Sequence, residues 1–418
     1  MCALGGHRPQ MKEDMKMKKM VALLLVLAMV FALAACGNKS ASNSGTPDNT
    51  DVQTPVDGDV AGTVKIGVFE PQSGDNGAGG KQEILGMQYA NSLTPTVEIG
   101  GQTYAVELVY ADNQSANDKA PSAAQTLISS GVSVVLGSYG SGVSIAASDV
   151  FGDAGVAAIG VTCTNPQVTA GNTHYFRICF LDPFQGTVLA NFAKDNGATK
   201  AYCLAKQGDD YSVGLCNYFM EAFGKDNCVY ETFPEGTSDY SSYVTNAKTQ
   251  GCDVFFAPVS TEAAALIIDQ AATQSLGMPI LAGDTWDSNV ITGAAKGKDV
   301  DINVTTFYQE GGDPTFDEGF KAWVNGNATN LANNGGNDDI AAVSVMGYDA
   351  YYVALEALKA AGSTDPAAVM GVLPGVTYTG VSGAIAFDAT GDAVRDVAYV
   401  KHCNTETGAW EFVAQQGV

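Results

Sequence analysis

Val132-Ser133-Val134-Val135-Leu136-Gly137-Ser138-Tyr139-Gly140-Ser141-Gly142-Val143-Ser144 is the stretch that decides the fold. Its first half is short, β-branched and almost wholly apolar, the pattern of a strand covered by helices on both faces of a parallel sheet. The Gly/Ser turn that follows opens a helix over 141–153. Strand, polar turn and helix are the first parts of a βαβ unit.

The same alternation runs outward in both directions. Upstream are a strand at 64–69, a helix at 81–93, a strand at 104–110 and a helix at 120–128. A strand at 156–161 follows. After Pro183 the pattern restarts, with helices at 184–195, 211–223, 240–249 and 262–275. Strands at 200–204, 228–233, 253–258 and 279–282 lie between them. A long helix at 343–361, a shorter one from Pro366 and β-like segments at 384–387, 397–401 and 410–413 close the chain. This is an α/β protein, and roughly 355 ordered residues exceed one usual core, so two domains are expected.

The N-terminus reads differently. Lys16, Lys18 and Lys19 precede an uncharged apolar run, 20–35, that ends Leu33-Ala34-Ala35-Cys36. A basic region, a short apolar region and small residues before a cut make a secretory signal. Cysteine at the cut makes it look like a lipoprotein signal, with Cys36 taking the lipid. The plainer reading is an ordinary signal peptide with an incidental cysteine. Met1, Met11 and Met15 are all available starts. Residues 40–62 are rich in Ser, Asn, Gly, Thr, Pro and Asp and read as a tether. A flexible linker of that length reaches roughly 25–30 Å. This places the domain outside the cytoplasmic membrane, anchored to its outer face. A single-membrane, Gram-positive-type bacterium is the source in which such an anchor makes most sense.

The net charge is −24, and −27 without residues 1–35, which hold five Lys or Arg and two acids. That argues against nucleic acid, whose binding rests on cations against phosphate. Apart from Cys2 and Cys36, the cysteines are Cys163, Cys179, Cys203, Cys216, Cys228, Cys252 and Cys403. No CxxC and no Cys/His cluster of zinc spacing occurs, so no metal is expected. A Cys203–Cys216 disulfide is an open possibility.

Catalytic patterns are missing. There is no GxSxG and no HExxH, and His174 and His402 lie far in sequence from any activated serine. Gly74–Lys81 (GDNGAGGK) fails as a phosphate loop, because Asp75 and Gln82 stand where Gly and Ser/Thr are required. The 112–118 run (DNQSAND) lacks the Gly and terminal Glu of a calcium loop and reads as a polar loop capping the next helix. Neither an enzyme nor a cofactor is expected.

Binding patterns are present. Ligands of open α/β sheets sit outside the carboxyl ends of the strands. There the Tyr139–Ser144 turn offers N–H groups and the Ser141 hydroxyl, suited to a carboxylate. Thr162-Cys163-Thr164-Asn165 is a second hydroxyl-rich loop on the same edge. Gly283-Asp284-Thr285-Trp286 sets a carboxylate beside an aromatic, suited to an ammonium group. Tyr211 opens a helix and could wall the cleft. Each has a plainer alternative: Ser141 and Asp284 as helix caps, Trp286 and Tyr211 as packing.

Taken in order, Ser73-Gly74, Asp112, 137–144, Ala146–Asp149, 162–166, Phe176-Arg177, Asp210-Tyr211, Gly283-Asp284, Gly347–Ala350 and 383–391 carry a likeness over nearly all of 63–418. The chain resembles the leucine/isoleucine/valine-binding receptors of ATP-driven amino-acid uptake systems, of the type I periplasmic-binding-protein fold. The resemblance implies two Rossmann-like lobes with parallel sheets and a three-crossover hinge: 63–182 with 308–388, and 183–307 with 389–418. It implies that Ser141 and Thr164 bind the ligand's carboxylate and amine, joined by the backbone at Thr162. Asp284 would hold the ammonium, and Tyr211 would cover the site from the second lobe; Tyr139 and Trp286 are further candidates from the residues themselves. The chain departs from the family in three ways: the early-loop aromatic falls at Gly79, Asp284 is shorter than the usual Glu, and Trp286 adds bulk nearby.

The expectation is therefore an extracytoplasmic, monomeric receptor. It would capture an amino acid, branched-chain or otherwise aliphatic, and deliver it to the permease subunits of an ABC transporter. The alternatives are a receptor for an amide, urea or short peptide, a ligand-sensing surface lipoprotein, and a surface hydrolase.

Overall fold

The computed structural model describes residues 60–417; the expected signal segment and Cys36 lie outside them. Strands β1 (Gly62–Glu70), β2 (Thr96–Ile99), β3 (Gln102–Asp112), β4 (Val134–Leu136), β5 (Ala158–Gly160) and β6 (Tyr175–Arg177) form one sheet, in the order β2-β3-β1-β4-β5-β6. All its pairings are parallel except the β2–β3 hairpin. The second sheet holds β7 (Ala201–Lys206), β8 (Cys228–Phe233), β9 (Val254–Phe256), β10 (Ile280–Ala282) and β11 (Ile302–Thr306). β14 (Ala398–Asn404) and β15 (Ala409–Gln416) extend it antiparallel beyond β11. A small hairpin, β12 (Thr377–Gly380) with β13 (Gly383–Ala386), stands apart.

The two sheets make two α/β lobes. The chain passes between them at 178–181, 307–313 and 387–397. Central strands such as β4 and β5 are buried along their whole length, which is why they carry Val, Ile, Leu and Ala with no alternation.

The helix Gly77–Leu93 packs along the helix Ala342–Ala361, and both pack on the first sheet. Their backbones meet where glycines leave room. A Cβ on Gly86 would lie 1.8 Å from the Ser344 carbonyl, and one on Gly347 would lie 2.2 Å from the Glu83 carbonyl. The contact fixes Glu83, one turn before Gly86, at the inner end of the first lobe. Tyr89 seals the far end against Phe316 and Phe320 of the helix Pro314–Asn325.

Several segments depart from the sequence reading. The first helix starts at Gly77, four residues earlier than its apolar spacing suggests, because its first turn is glycine-rich. Strands β2, β6 and β11 and the helices Asn289–Ala295, Pro314–Asn325 and Ala328–Asn333 carry too weak a pattern to read. β11 is wholly buried yet holds Asn303, Thr305 and Thr306, so its composition hides it. The Asp112 loop does not cap the next helix, whose N-cap is Lys119 without a side-chain bond. Asp112 instead accepts from Gln72 N–H and the Ser73 hydroxyl, tying down the turn after β1. All seven described cysteines are free, Cys203 and Cys216 included.

Candidate functional site

The carboxyl ends of both sheets face one another across a cleft, and the expected residues from both lobes meet there except Trp286. Tyr139 follows β4 and crosses the cleft: its hydroxyl donates to the Thr285 carbonyl at 2.9 Å. Its ring packs with Ala341 and Val343 and lies over Gly79, where a Cβ would come within 2.3 Å of it. Ser141 begins the helix Ser141–Ala154, whose N-cap, Gly140, offers no side-chain bond to the first-turn N–H groups. The Ser141 hydroxyl accepts from Asn165 N–H at 3.2 Å and keeps its own proton to donate.

From the second lobe, Asp284 follows β10 and is fully buried. Its Oδ1 accepts from the Tyr211 hydroxyl at 3.0 Å and from Gln185 Nε2 at 2.7 Å. Burial pushes its carboxyl up to about 6, and those two hydrogen bonds hold it from going higher. The Thr164 hydroxyl is buried and makes no hydrogen bond, while Thr162 donates to Glu83 Oε2 at 2.5 Å.

Trp286 lies elsewhere. It is packed in the core of the second lobe, its indole N–H donating to the Val259 carbonyl at 3.0 Å. A large apolar ring directly after a strand end is drawn into the core beneath it. This arrangement corrects the expectation that it stands in the cleft.

Sequence reading missed a set of buried acids. Glu70 ends β1 and accepts from Tyr139 N–H at 2.7 Å. Glu83 lies within hydrogen-bonding reach of Glu70. Burial raises both, Glu83 to about 7, with the Thr162 and Glu70 hydrogen bonds restraining it and Asp284 adding to the rise. Asp182 opens the helix Asp182–Asp195, one turn before Gln185, and neither of its oxygens accepts a hydrogen bond. Burial lifts it to about 8, with the neighbouring Thr164 hydroxyl pulling it down. An acid closing an otherwise apolar strand, and an acid before Pro183 at a helix start, were the available signals.

The lip of the cleft is held shut by bonds between the lobes. Lys206 pairs with Asp75 at 2.7 Å, Ser288 donates to Gln82 Oε1 at 2.7 Å, and Asn165 Nδ2 donates to the Asp210 carbonyl at 2.7 Å. A cavity of about 50 Å³ remains beside Tyr139, Ser141, Tyr211 and Thr285, enough for a few waters and too small for an amino acid. Beneath it Arg177 staples the hinge: it pairs with Asp392 at 2.7 Å and donates to the Cys163 and Asn165 carbonyls. Among the described residues no cluster of ligands suits a metal ion, and no helix is long and apolar enough to cross a membrane.

The fold recurs in known proteins. A leucine-binding protein, LivK, from Thermotoga maritima superposes with a TM-score of 0.74 at 30% identity, over 85% of this chain and 99% of that one. The branched-chain amino acid substrate-binding protein LivJ from Streptococcus pneumoniae, in complex with isoleucine, does so with a TM-score of 0.72 at 25% identity, over 85% and 99%. A Leu/Ile/Val-binding protein homolog of Brucella abortus is 28% identical over 334 residues, 79% of this chain and 87% of its own. The model of the family described as "Periplasmic binding protein" matches residues 63–407, and the chain belongs to that family.

Proposed function

We propose that this chain is the extracytoplasmic solute receptor of an ABC importer and captures an amino acid between its two lobes. The observation that supports this best is the convergence of opposite partners in one cleft. Free helix N–H groups and the Ser141 hydroxyl stand on the first lobe, with the buried Asp284 carboxylate on the second. An α-carboxylate suits the former and an α-ammonium the latter. The relatives named for leucine, isoleucine and valine put an aliphatic side chain first among candidates. In this reading the lobes are 63–182 with 308–388 and 183–307 with 389–418, and closing on the ligand is what the permease senses. No bond is made or broken, and Cys36 carries the lipid that keeps a monomeric receptor beside its transporter.

Thermal-shift titration of residues 37–418 against the twenty amino acids tests the reading. It contains all the described residues, 60–417. Stabilisation by at least one amino acid at micromolar concentration is expected. Stabilisation only by ureas, amides or peptides would replace the amino-acid reading with a different solute.

A further inference from the structure

The cleft floor is richer in acid than one α-ammonium can satisfy. Glu70, Glu83, Asp182 and Asp284 are all buried, and none makes an ion pair among the described residues. The nearby cations are already committed, Arg177 to Asp392 and Lys401 to Asp287 at 3.0 Å. Both Asp182 oxygens and Gln185 Oε1 accept nothing, and Glu70 Oε1 and Glu83 Oε1 have only each other. Against these acceptors stand two donors without a close partner, the Thr164 hydroxyl, which lies beside Asp182, and Gln82 Nε2. Tyr139 stands among the acids, with Asp284, Glu83, Asp287 and Glu70 all close enough to act on its hydroxyl. Four carboxyls gathered near one hydroxyl are an environment for a cation. A purely hydrocarbon side chain closed over these oxygens would leave them desolvated without partners.

Resting on the amino-acid reading above, we propose that the preferred ligand is a basic amino acid. Its second cationic nitrogen, at the end of an aliphatic stem lying along Tyr139, is held by the Glu70–Glu83 pair. The stem keeps the apolar contact expected of the cleft, and the added nitrogen supplies the donors the floor lacks.

Calorimetric titration of residues 37–418 with L-lysine, L-arginine and L-leucine tests this. Lysine or arginine binding roughly tenfold or more tighter than leucine is expected, the worth of a hydrogen bond to a charged group. Leucine binding tighter than both would overturn the proposal and leave the amino-acid reading standing. Binding of no amino acid at all would overturn both. Glu83→Gln, which keeps the shape, is expected to shrink the basic-to-leucine ratio by roughly tenfold. Glu70→Gln serves if that variant does not fold. An unchanged ratio in the folded variant overturns the assignment.

Discussion

The Tyr139 hydroxyl donates to the Thr285 carbonyl at 2.9 Å, a single bond that runs from the first lobe to the second beside the candidate site. Because it exists only when the lobes are together, it stabilises the closed form over the open one. Tyr139→Phe removes it without changing the ring. Amino-acid affinity is expected to fall by roughly three- to tenfold, the worth of about 0.5–1.5 kcal/mol. The loss should appear as faster dissociation in stopped-flow measurements; an unchanged off-rate would mean the bond does not gate closure.

Gly79 leaves room for that ring, since a Cβ there would lie 2.3 Å from Tyr139 Cζ. Ala341 and Val343 back the ring, so it has little space to retreat. Gly79→Ala is expected to cost about 1–3 kcal/mol in ligand binding, the usual range for overpacking. In a Tyr139→Ala background the same change should cost almost nothing. A double-mutant cycle reads the difference directly, and equal penalties in both backgrounds would place the clash elsewhere.

Arg177 and Asp392 are both buried and join β6 to the last crossover. Arg177→Ala leaves Asp392 without its cation and three backbone and side-chain acceptors without their donor. Urea unfolding should show a loss of about 3–5 kcal/mol. A loss below about 1 kcal/mol would contradict the role of a hinge staple.

The buried acids set a pH dependence. Glu83 and Asp182 hold their protons to about 7 and about 8 in the folded protein. The unfolded chain releases them near pH 4. Between those limits the folded state binds more protons, so stability is highest at the acid end and falls as pH rises. Glu70 and Asp284, both raised by burial, push the same way, and Arg177 near Asp182 opposes. Melting of the ligand-free protein is therefore expected to move down from pH 5 to pH 8. A melting temperature that rises over that range would contradict this account of the floor.

Much of the molecule was legible in the chain. Buried parallel strands announce themselves as unbroken apolar runs, and β4 with its Gly/Ser turn gave both the fold class and Ser141. Asp284 and Tyr211 were legible as candidates because each sits directly after a strand or at a helix start, where the topology aims side chains at a cleft. Glu70 and Glu83 were not, because they come together only when β1 and the helix after it are folded, and no sequence spacing encodes that meeting. Trp286 misled for the opposite reason: its neighbour in sequence faces the site, but a ring of that size is worth more in the core. β11, a buried inner strand of the second sheet, escaped because Asn303, Thr305 and Thr306 break its apolar run; Thr306 donates to Asp287, while the Thr305 hydroxyl has no hydrogen-bond partner.

The central claim is that Asp284 holds the ammonium of an amino acid bound between the lobes. Calorimetry of Asp284→Asn against the wild type, with the amino acid that binds best, measures it. The account predicts a loss of roughly 10- to 150-fold, the worth of a hydrogen bond to a charged group. Equal affinity in the two proteins would contradict it.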